Sequence, residues 1–369
     1  SDALEIRNGQ DKLMIIRELE LYRFRNYESQ HIEFENGINI IHGDNGEGKT
    51  NIIEAIYLLS IGRSFRTAKD REMINLGHET GYIKSRVESM GREFKIEYRI
   101  SKSGKKAIKI NGVPVDRLNQ LLGIINVVIF SPEDLRLVKE GPRERRSFID
   151  REISQIRPKY YQLLSVYHKN LLQRNNLLKN PAADRLLIDV YDSALAESGY
   201  RIMCYREEFI NEIREIARKN HLSISSGKEI LEIGYEKNVN AGTEAEYMSI
   251  LKENREKDIF RKTTSSGVHK DDLDIRINGI DLRSYGSQGQ KRSAAISLKL
   301  SEIELIKNIR GEYPVVLLDD IFSELDPKRQ HMLLETFKET QTFVTVAEEM
   351  DIETDNTKYR VKSGSIEKY

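Results

Sequence analysis

The segment Gly43-Asp44-Asn45-Gly46-Glu47-Gly48-Lys49-Thr50 constrains this chain more than any other stretch of it. It satisfies the pattern G-x-x-x-x-G-K-[ST] in full, and its surroundings are the ones that pattern requires. Residues 38–41 form an apolar run that reads as a strand, and residues 51–60 carry Ile52, Ile53, Ile56 and Leu59 at helical spacing. A strand, a glycine-rich loop and a helix in this order turn backbone N–H groups and the positive end of the helix onto one anion. Gly43 to Thr50 are therefore expected to cradle the phosphates of a nucleotide, ATP. Lys49 is expected at the β and γ phosphates, and the Thr50 hydroxyl at Mg²⁺.

A phosphate loop needs an acidic partner for the metal. Val315-Val316-Leu317-Leu318-Asp319-Asp320 offers one at the end of an apolar strand, in the Walker B pattern. Asp319 is expected to hold Mg²⁺, directly or through water, and Asp320 to act as the general base that polarises the attacking water. Two acids at a strand end in isolation would read as a solvated pair or a helix cap; the phosphate loop is what changes the reading.

Between these motifs the chain changes character. From Met14 to about residue 128 it alternates like strands, with Ser103-Gly104 and Asn111-Gly112 as hairpin turns. Beyond residue 128 come long, charged helical patterns: one from about Arg143, one from Pro158 to Leu178, and one over about 184–219 that would span roughly 50 Å at 1.5 Å per residue. The apolar spacing never keeps a heptad long enough for a coiled coil. Thr243-Glu244-Ala245-Glu246 reads as a capping box opening a further helix to about residue 259. From about residue 267 the alternation returns, followed by the apolar runs 315–318 and 342–346. The expected organisation is a head of residues 14–128 and 265–369 interrupted by a helical lobe of 129–264. Residues 1–13 lack periodicity and read as a tag remnant, or else as a natural N-terminal extension.

Bulk properties exclude more than they assign. Lys plus Arg equals Asp plus Glu at 59 each, so net charge predicts no nucleic-acid partner, and any such reading must rest on local patches. Two basic clusters are available: Lys139, Arg143, Arg145, Arg146 and Arg151, and Lys102, Lys105, Lys106 and Lys109. Such runs are more often solvated faces than DNA contacts. The single cysteine, Cys204, excludes a disulfide framework within the chain and a cysteine zinc site, and fits a reducing cytosol. With 32% of residues charged and no long apolar span, no membrane segment is expected, and a cytoplasmic location is.

Tyr285-Gly286-Ser287-Gln288-Gly289-Gln290-Lys291-Arg292, ahead of a helix expected over 293–306, resembles the signature motif of ABC-type ATPases. Ser323-Glu324-Leu325-Asp326 resembles the D-loop of that class. The resemblance implies an α/β fold, an ABC-type P-loop ATPase head with a β-rich N-terminal part and an inserted helical lobe. It also implies that Ser287, Gly289 and Gln290 of one head complete the ATP site of another, so that nucleotide acts as dimer glue. Transporter heads keep the two motifs far closer than the 237 positions separating Thr50 from Ser287.

Further motifs narrow the class. Leu21 through Tyr27 (LYRFRNY), Gly62 through Thr67 (GRSFRT), Phe130 through Leu135 (FSPEDL), Gly141-Pro142-Arg143 with Arg145-Arg146, and Gly267 through Asp272 (GVHKDD) together resemble the RecF family of bacterial recombination mediators. The resemblance runs from Met14 onward. It implies an ATP-dependent DNA-binding protein with slow, Mg²⁺-dependent hydrolysis and an ATP-dependent homodimer. The implied partners are gapped DNA and single-stranded/double-stranded junctions, with RecO and RecR, and through them RecA; DNA repair, replication, recombination and the SOS response are the implied setting. Two alternatives belong to other classes: an SMC-like structural chromosome ATPase, and an ABC transporter nucleotide-binding subunit. Residues 343–347 lack the histidine many such heads carry after this strand, and the segment around Ser131 lacks the Q-loop glutamine. His269 is a tempting substitute but reads as structural. Arg25 is open to two readings, a contact to the nucleotide base or a surface salt bridge.

Overall fold

The computed structural model describes residues 12–180, 184–347 and 356–369; for Lys12, Glu324, Pro327 and Lys328 it describes the backbone alone. The chain divides into two compact units, residues 1–132 with 302–369, and residues 133–301.

The first unit packs two six-stranded sheets around one helix. One sheet runs in the order Ser365–Lys368, Asn356–Lys362, Ile38–His42, Thr342–Val346, Val315–Asp319, Val127–Phe130, parallel except for its first, edge strand. Because these strands are parallel, the ends of Ile38–His42, Thr342–Val346 and Val315–Asp319 meet at one edge, where a ligand site belongs. The other sheet is antiparallel, in the order Tyr27–Glu33, Ile15–Phe24, Thr80–Ser89, Arg92–Ser101, Lys106–Ile110, Val113–Pro114. Both predicted hairpin turns are present, with Asn111 and Gly112 at positive φ as a two-residue turn of this kind requires.

The helix Lys49–Ile61 belongs to the same core as both sheets. Ile52, Ile53, Ala55, Ile56, Tyr57, Leu58, Leu59 and Ile61 are all buried, and so are Glu54 and Ser60, so the helix is enclosed around its circumference rather than on the one face expected. Gln341 ties the two sheets together: its buried amide accepts from Ile16 N–H at 2.7 Å and donates to Ile16 O at 2.9 Å, beside the register shift between Ile16 and Glu18.

The second unit contains the helices Pro142–Ile156, Pro158–Leu178, Arg185–Ile224, Glu244–Glu253 and Arg255–Arg261. Prolines at the first helical position and the Asp184 side chain, which accepts from Leu186 N–H, set the starts. Here the structure departs from the expected partition. Leu231–Glu236 pairs antiparallel with Asp272–Ile277, which pairs with Ile280–Asp281. The lobe is therefore not purely helical, and residues 265–301 group with it instead of with the head. The physical reason is that the strand Asp272–Ile277 finds its hydrogen-bonding partner inside the lobe, a pairing that periodicity alone does not reveal.

Buried ion networks fix this unit. Arg174 bonds Asp192 at 2.5 Å, Asp258 at 2.8 Å and Thr264 at 2.9 Å, all buried. Arg206 bonds Asp150, Asp271 and Tyr160. His269 lies 2.7 Å from Tyr167 Oη and 3.1 Å from Thr264 O, and burial pushes its imidazole down to about 4, so it is a neutral structural residue. Residues 1–11 of the expected tag remnant lie outside the described residues. Lys12–Leu13, counted with them, instead pair in parallel with Glu312–Tyr313.

Candidate nucleotide site

The loop between Ile38–His42 and the helix Lys49–Ile61 is shaped by contacts that leave no room for side chains at two glycines. A Cβ on Gly43, at φ 154°, would meet Val361 O at 2.3 Å; one on Gly48, at φ 119°, would meet the Asn26 amide at 2.6 Å. Asn26 holds the loop from the neighbouring strand turn, donating to Glu47 O at 2.6 Å and accepting from Asn51 Nδ2 at 2.8 Å. Tyr27 Oη donates to Gly48 O at 3.1 Å. The Glu47 carboxylate accepts from Ser363 N–H. Asp44, Asn45 and Gly46 are exposed at the tip, while Gly48 and Lys49 are buried beneath it.

Lys49 Nζ donates to Gly43 O at 2.5 Å and to Asp44 O at 2.9 Å. Burial pulls its ammonium below the ordinary lysine range, against the raising influence of Asp320, Asp44, Asp319 and Glu47. An ammonium held on carbonyl oxygens inside a ring of acids, at a helix N-terminus, is placed to receive a polyphosphate.

Thr50 Oγ1 donates to Asp319 Oδ1 at 2.9 Å, joining the phosphate loop to the Walker B strand across 269 positions. Asp319 Oδ1 also accepts from Thr345 Oγ1 at 2.9 Å. Burial raises the Asp319 carboxyl, while the Thr345 and Thr50 hydroxyls and the field of Arg66 lower it. A desolvated carboxylate beside a hydroxyl fits the oxygen donor set of Mg²⁺, which is reason to place the ion at Thr50 and Asp319. Asp320 follows in the left-handed region, φ 53°, with its side chain exposed. Its N–H donates to Thr345 Oγ1 at 3.0 Å and its carbonyl accepts from Ser323 Oγ at 2.8 Å. A non-glycine residue is held in this conformation only where its surroundings over-determine it, and the two hydroxyls do so here.

Thr345 is a candidate site residue that the motifs do not mark. Residues 343–347 carry no histidine, but the Thr345 hydroxyl links Asp319 to Asp320. Its strand lies between those of the phosphate loop and Walker B, with Thr345 in register with Ile41 and Asp319. The available signal is a hydroxyl near the C-terminal end of the run Thr-Phe-Val-Thr-Val. Arg25 also resolves in an unexpected way. It pairs bidentately with Glu54, at 2.7 and 2.6 Å, and Glu54 is wholly buried on the phosphate-loop helix. Ser64 and Arg66 bond the same carboxylate, and Arg66 reaches Asn51 at 2.7 Å. The GRSFRT segment thus wraps a buried acid behind the loop.

The signature residues sit in the second unit. Ser287 Oγ accepts from Gln290 N–H at 3.2 Å, and Gln290 Oε1 accepts from Ser287 N–H at 2.9 Å, a reciprocal capping box. This cap starts the helix at Gln288 and carries it to Arg310, five residues ahead of the expected start. Ser287, Gln288 and Gly289 are exposed, and Tyr285 is 79% exposed.

The basic clusters lose most of their members to internal pairing. Arg145 is buried against Asp272, Arg146 bonds Asp271 O, Arg151 pairs with Glu152, Lys102 with Glu79 and Lys106 with Asp70. Lys102 and Lys106 stay exposed despite those pairs, and Lys105, Lys109, Lys139 and Arg143 are exposed as well.

Against known proteins, residues 15–367 match the model of the RecF/RecN/SMC N-terminal domain. The DNA replication and repair protein RecF of Clostridioides difficile (strain 630) is 51% identical over 342 residues, 91% of this chain and 92% of the relative. The chain belongs to the RecF family. A solved structure of the recombination mediator protein RecF with ATP, in the RecFOR pathway, superimposes with a TM-score of 0.92 at 37% identity, covering 98% of this chain and 99% of that one. An Smc head domain from Pyrococcus furiosus superimposes with a TM-score of 0.57 at 19% identity over 97% and 96% of the two chains, which shows the shared head fold. The fold is thus the ABC-type head expected from the motifs, in a family of DNA replication and repair ATPases. Among the described residues no helix is long and apolar enough to cross a membrane.

Proposed function

We propose that this chain is an ATP-dependent DNA-binding recombination mediator that dimerises when it binds ATP, engages gapped duplex and single-stranded/double-stranded junctions, and helps RecO and RecR load RecA. The observation that carries the nucleotide part is the Thr50–Asp319 bond, which joins phosphate loop and Walker B. Gly43 to Gly48 wrap the phosphates with backbone N–H groups, and Lys49 leaves its carbonyl partners for the β and γ oxygens. Thr50 and Asp319 hold Mg²⁺, which when bound neutralises phosphate charge. Asp320, exposed at the strand end, takes the proton of the attacking water. Ser287 and Gly289 are exposed, with half-buried Gln290 capping Ser287, and the three complete the site from a second copy. The missing histidine after Val346 favours slow turnover, so that nucleotide acts chiefly as a switch for dimerisation.

The DNA part rests on family membership and on the exposed cations of the two basic clusters. Because about one counterion is released per phosphate neutralised, binding falls steeply with salt. The test measures binding to gapped, blunt duplex and single-stranded DNA across a salt series, with and without ATP, alongside light scattering of wild type and Lys49→Met. ATP-stimulated binding and an ATP-driven dimer, both lost in Lys49→Met, are expected. An ATP-independent dimer that survives Lys49→Met sinks the switch.

A further inference from the structure

The turn that links the helix Arg185–Ile224 to the strand Leu231–Glu236 carries a glutamate bonded to the signature segment. Glu229 Oε1 accepts from Gln290 Nε2 at 2.9 Å. A glutamine amide has one donor side and one acceptor side, so engaging its nitrogen turns its oxygen the other way. That oxygen receives Ser287 N–H at 2.9 Å, while Gln290 N–H goes to Ser287 Oγ at 3.2 Å. The orientation of one amide therefore fixes the backbone and the hydroxyl of Ser287 together.

The glutamate is itself held. Its N–H donates to Ser225 Oγ at 3.1 Å, Gly227 N–H to Leu222 O at 2.7 Å and Ser225 N–H to His221 O at 2.8 Å, which closes the turn tightly. Behind it, buried His221 places Nε2 3.3 Å from Glu229 Oε2 and Nδ1 2.9 Å from Ser297 Oγ. Ser297 lies seven residues beyond Gln290, two turns along the same face of the same helix. Glu229 and His221 thus grip the signature helix at its first turn and again two turns later.

We propose that Glu229 is a positioning residue for the signature: it locks the Gln290 amide so that Ser287 is presented in the geometry a second subunit's nucleotide requires. The inference rests on the reading of Ser287 as a contact made in trans. Without the carboxylate the amide is free to turn over, which would set its NH₂ against Ser287 N–H and undo the cap.

The experiment compares Glu229→Met, Glu229→Gln and Ser287→Ala by ATP-dependent dimerisation, by thermal melting, and by affinity of the dilute monomer for a fluorescent ATP analogue. Losing one hydrogen bond that orients a polar cap is expected to weaken the Glu229→Met dimer about tenfold. Its affinity as a monomer for the analogue should be unchanged, because the phosphate loop belongs to the other unit. Glu229→Gln, which still offers an oxygen to Gln290, should recover most of the dimer; a purely steric role for the side chain would make the two variants alike. If Ser287→Ala is defective while Glu229→Met dimerises like wild type, the positioning role is overturned and the trans reading stands. If Ser287→Ala dimerises like wild type, the trans reading itself fails. Should Glu229→Met melt too low to be measured, Gln290→Met removes the same tie from the other end, and wild-type dimerisation by that variant overturns the proposal.

Discussion

The phosphate-loop end and the signature end of this chain treat polar groups in opposite ways. Around Lys49 and Asp319 the polar atoms are buried and face inward: ammonium on Gly43 and Asp44 carbonyls, carboxylate under the hydroxyls of Thr50 and Thr345, Glu54 enclosed by Arg25, Ser64 and Arg66. Around Ser287 they are satisfied by a helix cap and left in the open, beside an exposed Tyr285. Burial costs stability unless every group is paired, and here it keeps charges ready for a ligand that brings its own. An exposed cap costs little and makes little by itself. The difference teaches that the phosphate-loop end is preorganised within the chain, whereas the signature end offers an exposed cap, as the proposed contact with a second copy requires.

The comparison can be broken first at Asp320. If the inward end performs the chemistry, Asp320→Asn should lower single-turnover hydrolysis by about 100- to 10,000-fold while leaving ATP binding and dimerisation intact. Equal loss of binding would show that Asp320 belongs to the cradle and not to the reaction. Next comes Ser287→Ala. For an outward residue that acts only across the dimer, hydrolysis should fall about a hundredfold and monomer affinity for nucleotide not at all. A monomer that binds ATP more weakly would place Ser287 in the cis site and erase the contrast.

Thr345→Val sharpens it further. The change removes a hydroxyl that accepts from Asp320 N–H and donates to Asp319, so turnover should drop about tenfold with Thr345→Ser restoring it. A Val variant of wild-type activity would reduce Thr345 to strand packing.

The smallest effect concerns the Asp319 carboxyl. Burial holds the Asp319 carboxyl above its ordinary range, so the folded protein retains that proton longer than the unfolded chain does. The contribution is present below the unfolded pKa and lost as pH rises through the folded one. Without Mg²⁺, Asp319→Asn should therefore melt about 2 °C above wild type at pH 8, with the gap closing in acid. A lower melting temperature at pH 8 would mean that the ionised carboxylate is already well paired by the Thr50 and Thr345 hydroxyls.

Much of the candidate site was legible because its motifs are local. A phosphate loop is one strand, one turn and one helix, and glycine, lysine and threonine at fixed offsets along a continuous chain specify it. Walker B is likewise an apolar strand with acids at its end. The helix starts at Pro142, Pro158 and Asp184 follow from proline and capping chemistry acting within one turn. Even the unexpected early start at Gln288 obeys a local rule, the capping box of Ser287 and Gln290.

Partners far apart in sequence were another matter. Thr345 acquires its role from lying between two parallel strands, Arg25 from Glu54 on a helix, and Arg145 and Arg146 lose theirs as surface cations to Asp272 and the Asp271 carbonyl. Glu229 lies 61 positions from the glutamine it holds. The sequence by itself determined which residues can grip phosphate, ligate metal and cap a helix, since side-chain chemistry and spacing along one element decide that. Only the tertiary structure decided which charges are spent internally, which hydroxyl joins Asp319 to Asp320, and where the lobe ends. Those outcomes depend on strand register and helix packing, which bring distant positions within hydrogen-bonding distance and leave no periodic trace in the chain.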